Sequence, residues 1–317
     1  MNLKKVVVAG GGVLGTQIAY QSAYCGFDVT IWLRSEGSIG RTKPKIEHLH
    51  KTYRETIELM ASANGKLPGN WCNGIADVEN FDKEKCLERS EAAYKNLKLE
   101  LDLKTAVSDA DLVIEAVAER MDEKIAFYQK MAPLLPEKAI IATNTSTLPP
   151  SKLTEYTGRP TKFLSMHFAN LIWKLNTAEI MMQPQTDKNV FNELIEFAKA
   201  IRMVPLPLYK EKGGYLLNSM LVPMLGSALD LFATGVSDIE TIDKTWKIGT
   251  GASLGPFQIM DAIGLITIQN IISKKVDEPP EQAPYHYREI NQMLLAKIEK
   301  GELGISAGKG FYTYPKK

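Results

Sequence analysis

The sequence predicts an α/β protein in two parts. A mostly parallel sheet with a helical excursion after its second strand comes first, and an all-α C-terminal domain follows. Three observations predict it. Short apolar runs such as VVVA at 6–9 and LVIEAV at 112–117 recur through the first half; they are continuous rather than alternating, as strands buried on both faces require. Helix-compatible stretches separate them, the spacing of parallel βαβ units. After about Pro205 the strand signals stop and long apolar helical stretches take over. A chain of 317 residues is too long for one small core, so two domains are expected, 1–205 and 206–317.

The formal net charge of +1 predicts no nucleic-acid partner and no attraction to an acidic membrane. MNLKK runs directly into VVVAGGG without a cleavable leader, and no apolar run reads as long enough to span a bilayer. Cys25, Cys72 and Cys86 are odd in number and lack CxxC or metal-ligand spacing. Reduced thiols in a cytoplasmic protein are therefore expected, with no metal site.

The first strand leads straight into G-x-G-x-x-G at Gly10, Gly12 and Gly15. A helix-compatible stretch continues to about Cys25, Gly26 ends it, and 29–33 forms the second strand. Strand, motif and helix within about thirty residues is the context that dinucleotide binding needs. The glycines permit a tight turn and close approach of a pyrophosphate, and the helix N-terminus offers N–H donors to it. The first domain is accordingly read as Rossmann-like. An NAD site usually ends its second strand in an Asp or Glu that accepts from the adenosine ribose. Here the sequence is Trp32-Leu33-Arg34-Ser35, with Glu36 slightly late. Arg34 suits the extra phosphate of NADP and Ser35 can donate to it. The cofactor is read as NAD(P)(H), with NADP(H) favoured; Glu36 reaching the ribose stays open as the alternative.

Residues 41–96 are rich in Lys, Arg and Glu and break at NGKLPGNWCNGIADVEN. KIEHLHKTYRETIELMASA and DKEKCLERSEAAYKNL read as the two amphipathic helices of the excursion. Lys43, Lys45, Lys51 and Arg54 suit a phosphorylated ligand, or form a solvated helix face. Leu97, Leu99, Leu101 and Leu103 alternate with polar residues, which marks a short strand. LVIEAV is followed by a helix from about Asp122 to Leu135, and AIIATNT (139–145) and TKFLSMHF (161–168) are further strands. Ligands of open α/β sheets sit beyond the carboxyl ends of strands. Glu119, Asn144, Ser146 and His167 all stand there, and Asn144 is a candidate cofactor contact. The other histidines, His48, His50 and His286, lie among charged or Pro/Tyr-rich neighbours. His167 alone follows an apolar run, which makes it the candidate acid–base group; a hydrogen-bonded structural histidine is the alternative.

The second half opens with a turn-rich link, PLPLYKEKGG. YLLNSMLVPMLGSALDLFATG is apolar and helical despite Pro223, and SDIETIDKTWKIG starts with an N-cap at Ser237 or Asp238. GPFQIMDAIGLITIQNIISKK has Pro256 in its first turn, and YREINQMLLAKIEKG is a last helix ended by Gly301. Such apolar helices need burial, from intrachain packing or from a homodimer interface.

Taken in order, GGGVLG, IEAVAERMDEK, NTSTL, HFAN with Glu179 beyond it, GGYLLNSML, GPFQIMDAIGL and GKGFYTY resemble the 3-hydroxyacyl-CoA dehydrogenases of the 3-hydroxybutyryl-CoA dehydrogenase type. The resemblance runs through most of the chain. It implies reversible NAD(P)-dependent interconversion of a small-molecule 3-hydroxyacyl-CoA with its 3-ketoacyl-CoA, by a homodimer. It implies that His167 removes the hydroxyl proton and that Glu179 holds the imidazole in one tautomer. Ser146, Asn170 and Asn218 match positions that bind the substrate oxygen or fix the site. Glu119 and Lys124 match positions near the ribose and nicotinamide half of the cofactor.

Several residues depart from the family pattern. Leu171 stands where Pro is usual, Leu175-Asn176-Thr177-Ala178 replaces a more apolar run, and Gly213-Gly214 replaces Pro-Gly. Trp173, in place of a smaller residue, is expected to narrow the acyl slot toward short chains. One rival is an enzyme of the same architecture acting on a free hydroxy acid or sugar acid. Another is a non-catalytic, crystallin-like binding protein, against which the joint presence of His167, Glu179, Ser146 and Asn218 argues.

Overall fold

The run of valines at 6–8 forms β1 (Lys5–Ala9), and the glycine turn feeds α1 (Val13–Tyr24) and β2 (Asp28–Trp32). This is a computed structural model, and it describes residues 3–67, 69–279 and 281–315. The excursion follows as α2 (Glu36–Ala61) and α3 (Lys83–Asn96), the latter capped by Asp82. Then come β3 (Lys98–Glu100), α4 (Leu103–Val107), β4 (Leu112–Glu115), α5 (Met121–Met131) and β5 (Ile140–Thr143). β6 (Phe163–Phe168), β7 (Thr177–Met181), α6 (Lys188–Ala200) and β8 (Val204–Leu208) complete the first unit, which closes at Leu216.

The strands form one sheet in the order β3-β2-β1-β4-β5-β6-β7-β8, parallel except between β6 and β7. Side chains alternate across it. Val6 and Val8 point into a core shared with α1, α2, α3 and α6, while Val7 and Ala9 point into one shared with α4 and α5. Both faces are covered, which is why these strands read as continuous apolar runs. The chain leaves β1 first toward β2 and later returns to β4 on its other side. That reversal opens a crevice at the carboxyl ends of β1 and β4.

Four readings of the first unit need correction. Helix α2 begins well before Lys45 and passes through Pro44; buried Thr42 and Ile46 hold it on either side, so packing overrides the proline signal. Leu103 opens α4 rather than ending a strand. The strands do not stop at Pro205, because β8 runs through it and the first unit extends past this strand. Pro205 and Pro207 are tolerated there because β8 is the edge of the sheet, where alternate N–H groups have no strand to bond. Finally, β7 is a strand missing from the sequence reading, although Thr177, Ala178, Glu179 and Ile180 alternate polar and apolar.

The second unit opens at Leu217 and contains most of α7 (Tyr215–Ala233), with α8 (Ile239–Thr250), α9 (Pro256–Ile263), α10 (Leu265–Ile272) and α11 (Tyr287–Glu299). Asp238 is the N-cap of α8, accepting from the Thr241 amide at 2.7 Å. The single helix expected over 255–275 is broken at Gly264, whose φ of 98° no L-residue adopts readily. Leu225, Leu229, Phe257, Met260, Ile290 and Leu294 form the core. The expectation that no apolar run could reach across a bilayer fails for α7. By length and composition it is long and apolar enough, with 19 residues and a mean hydropathy of 1.5. Its Leu225, Ala228 and Leu229 are buried in the unit's own core.

Candidate active site

The glycine turn fits a dinucleotide. Gly10 has φ of 124°, and a Cβ there would collide with the Ala116 carbonyl at the end of β4. A Cβ on Gly15 would collide with the Gly10 carbonyl, and one on Gly11 with Thr42 of α2. These glycines let β1, β4, α1 and α2 close together. Gly12 is different: a Cβ on it meets nothing within 4 Å, and it caps α1 without any side-chain hydrogen bond. The first-turn amides of α1 therefore face open space, where an anion finds donors.

That space is a cleft of about 430 Å³, lined by the glycines, Leu33, Arg34, Ser38, Arg41, Thr42 and Lys45. At its far end the buried Leu33 and the exposed Arg34 and Ser35 follow the second strand, with no carboxylate among them. Arg34 pairs with Glu123 at 3.2 Å, Ser35 and Ser38 share a hydrogen bond of 3.0 Å, and Arg41 donates to Ser38 at 3.0 Å. Lys45 donates to the Gly11 carbonyl at 3.1 Å. Glu36 is exposed in the first turn of α2. Arg41 was not singled out in the sequence and Lys45 only as a candidate for a phosphorylated ligand; the early start of α2 brings both to this cleft.

The second cluster forms where β5 and β6 end. His167 lies opposite Glu179 in the antiparallel register of β6 and β7, so the missed strand explains how two residues far apart in sequence meet. The imidazole is 7% exposed. Its Nδ1 is 3.0 Å from Glu179 Oε2, and its Nε2 is 3.1 Å from Ser146 Oγ. A carboxylate only accepts, so the pair assigns the proton to Nδ1 and leaves the Nε2 lone pair to accept from the Ser146 hydroxyl. Glu179 Oε1 accepts from the Leu216 amide at 2.8 Å. The Tyr215 ring stacks on His167 with centroids 4.3 Å apart and planes 13° apart, and its hydroxyl donates to the Thr145 carbonyl at 2.7 Å. Burial pushes the Tyr215 phenol up. Its only signal in the sequence was an aromatic directly after a Gly-Gly pair.

Ser146 is held from below. Glu119 Oε1 accepts from the Thr145 hydroxyl at 2.6 Å and from the amides of Ser146 and Thr147 at 2.9 Å. Burial works to raise the Glu119 carboxyl, but the Thr145 hydrogen bond and the Lys124 charge outweigh it, and its pKa lies below the usual value. Lys124 is buried, with its ammonium between Glu115 at 2.6 Å and Glu119 at 3.4 Å. Asn144 accepts from the Phe168 amide at 3.1 Å and so ties β5 to β6. Asn170 is exposed in the turn after β6. Asn218 is half-buried in the first turns of α7, three residues beyond Tyr215.

Trp173 does not line an open slot. It is 7% exposed in the core, with its ring centroid 5.5 Å from that of Tyr53; a large aromatic gains more from burial than from an exposed position. The excursion's cations do not converge either. Lys45 is in the cofactor cleft, Lys51 pairs with Glu55, Arg54 pairs with Glu91, and Lys43 borders a separate groove.

Comparison with known proteins identifies the family. The family model for the 3-hydroxyacyl-CoA dehydrogenase NAD binding domain matches residues 5–212, and that for the 3-hydroxyacyl-CoA dehydrogenase C-terminal domain matches 214–314. Mitochondrial hydroxyacyl-coenzyme A dehydrogenase of Mus musculus is 30% identical, with 98% of this chain and 91% of the relative covered. A 3-hydroxybutyryl-CoA dehydrogenase of Bradyrhizobium diazoefficiens is also 30% identical, over 98% of this chain and 96% of that one. A solved diketoreductase, described by its substrate-directed dual catalysis of dicarbonyl compounds, is 43% identical with a TM-score of 0.85. It covers 99% of this chain and 100% of its own. A matched NAD binding domain, a matched C-terminal domain and full-length dehydrogenase relatives agree, and the chain belongs to the 3-hydroxyacyl-CoA dehydrogenase family.

Proposed function

We propose that this dehydrogenase interconverts a 3-hydroxy and a 3-oxo compound, with His167 as the acid–base group and Glu179 as its partner. The line Glu179–His167–Ser146, two hydrogen bonds of 3.0 and 3.1 Å at the ends of β5 and β6, is the observation that carries the reading. The dinucleotide, when bound, supplies hydride acceptance or donation. The chain's own residues manage the proton. In the oxidative direction His167 Nε2 takes the hydroxyl proton, and Glu179 stabilises the imidazolium that results. In the reductive direction the proton returns to the carbonyl oxygen. Ser146 is placed to donate to that oxygen, and Asn170 and Asn218 are assigned supporting contacts by family resemblance. Glu119 and Asn144 act at the nicotinamide end, and Lys124, buried between Glu115 and Glu119, acts there through Glu119.

The extra phosphate of NADP(H) is the favoured adenosine-end ligand. The lack of a carboxylate directly after the second strand, with Arg34, Arg41, Ser35 and Ser38 around that end of the cleft, supports this. The first reading of the substrate is a short-chain 3-hydroxyacyl-CoA, supported by the family. A second reading, a dicarbonyl compound without coenzyme A, is supported by the dispersal of the excursion's cations and by the 43% identical relative. A homodimer is supported by an apolar groove of about 760 Å³ on the second unit, bordered by Met224, Leu231 and Trp246. Three free cysteines support a reducing, cytoplasmic setting.

Turnover of acetoacetyl-CoA, acetoacetate and pentane-2,4-dione, each with NADPH and NADH, tests the reading. Preference for the thioester supports the first substrate, and equal or greater efficiency on a free compound supports the second. No turnover of any of them overturns both.

A further inference from the structure

Glu115 closes β4 with its side chain wholly buried, and the reaction proposed above does not use it. Both of its oxygens are filled. Oε1 accepts from the Val117 amide at 2.9 Å and from the Lys124 ammonium at 2.6 Å. Oε2 accepts from the hydroxyls of Tyr128 at 2.8 Å and Thr143 at 2.7 Å. Lys124 is equally buried and also faces Glu119, which is exposed. Two carboxylates thus share one buried cation. The outer carboxylate collects the donors of residues 145–147, and Ser146 in that loop touches His167. Thr143 provides a second route, donating to Glu115 while accepting the Thr145 amide at 3.2 Å.

We propose that Glu115 and Lys124 are positioning residues for the His167 site. Glu115 fixes the Lys124 ammonium, the ammonium secures the Glu119 carboxylate, and Glu119 holds Ser146 against His167. The inference rests on reading His167 as the acid–base group. The charged and titratable groups facing this chain, among the described residues, are Glu115, Glu119 and Tyr128 around Lys124, and Tyr215 and Glu179 around His167. Removing the Lys124 ammonium leaves two carboxylates facing each other, and like charges so placed favour protonation of one. Glu119, the more exposed, is the one that protons reach. A protonated Glu119 is a poorer acceptor, and the loop of Ser146 loosens.

The test is turnover of Lys124→Met and of Lys124→Met/Glu115→Gln across pH, with whichever of the three compounds wild type reduces. Misplacing a reacting group by about 1 Å costs on the order of 10²-fold, and Lys124→Met should lose turnover on that scale at neutral pH. It should regain turnover as the pH is raised and Glu119 ionises. The double variant, with the inner carboxylate neutralised too, should recover most of the loss without that pH dependence. A purely structural role would lower the melting temperature without a pH-recoverable kcat. A single variant within about twofold of wild type overturns the proposal, as does a double variant no better than the single at any pH. If the single variant does not fold, the double decides. Turnover within about tenfold of wild type supports the proposal, and a folded enzyme slower on the order of 10²-fold overturns it. Full activity in His167→Gln would instead sink the underlying reading, so the two failures are distinct.

Discussion

Replacing Glu179 by Gln keeps the shape of the His167 partner and removes its charge. The structure says why the amide cannot substitute. Glu179 accepts through both oxygens, from His167 Nδ1 at 3.0 Å and from the Leu216 amide at 2.8 Å. A glutamine has one acceptor oxygen and one donor nitrogen. If its oxygen faces His167, its NH₂ meets the Leu216 N–H, two donors in a site where Glu179 is 3% exposed. If its NH₂ faces His167, Nδ1 must accept, the proton moves to Nε2, and the base is lost where substrate needs it. The first arrangement forfeits a hydrogen bond to a charged group, worth about 1.5–3 kcal/mol. Through the transition-state relation that is roughly 10–150-fold in rate. The expected result is turnover slowed within that range and by less than in His167→Gln, with dinucleotide affinity retained, read by NAD(P)H absorbance and by fluorescence titration. An unchanged kcat, or a loss as large as that of His167→Gln, would refute the division of labour between the two residues.

Gly10→Ala should abolish dinucleotide binding and lower the melting temperature, since the new Cβ meets the Ala116 carbonyl at a φ of 124°; strain of this kind costs about 1–3 kcal/mol before the clash is added. Arg34→Ala/Arg41→Ala should raise the KM for NADPH on the order of tenfold or more while leaving that for NADH nearly unchanged; equal effects on both cofactors would refute the phosphate reading. Glu302, held by Lys309 and Lys297, has its carboxyl lowered to about 2. A depressed carboxyl stabilises the fold above its unfolded value and loses that contribution as the pH falls toward the folded one. Glu302→Gln should therefore lower the melting temperature at pH 7 and bring the two proteins together near pH 2; a constant difference across pH would refute it.

The elements legible in the sequence are those whose causes are local. Val6 to Ala9 and Leu112 to Glu115 are strands buried on both faces, and a continuous apolar run reports that directly. Gly10 and Gly15 are required by close backbone approaches that any G-x-G-x-x-G turn repeats. What could not be read is what tertiary packing decides. β7 is only five residues long, and its alternation over 177–180 is too short to mark a strand without its pairing to β6 and β8. Pro205 and Pro207 disguised β8 as a link, since nothing local says that their strand is an edge. Tyr215 and Glu115 look ordinary in sequence; only the fold brings one onto His167 and the other beneath the loop of Ser146. Trp173 shows the converse error, an unusual residue read as functional that the fold uses for core packing against Tyr53.

Proton transfer through His167 is the step on which the proposed chemistry depends. Turnover and dinucleotide affinity of His167→Gln, measured beside wild type, probe it without intermediaries. Turnover should fall 10²-fold or more, the usual order for removing a general acid–base group, while the dinucleotide binds as tightly as before. A variant that turns over near the wild-type rate would show that the proton moves through another group.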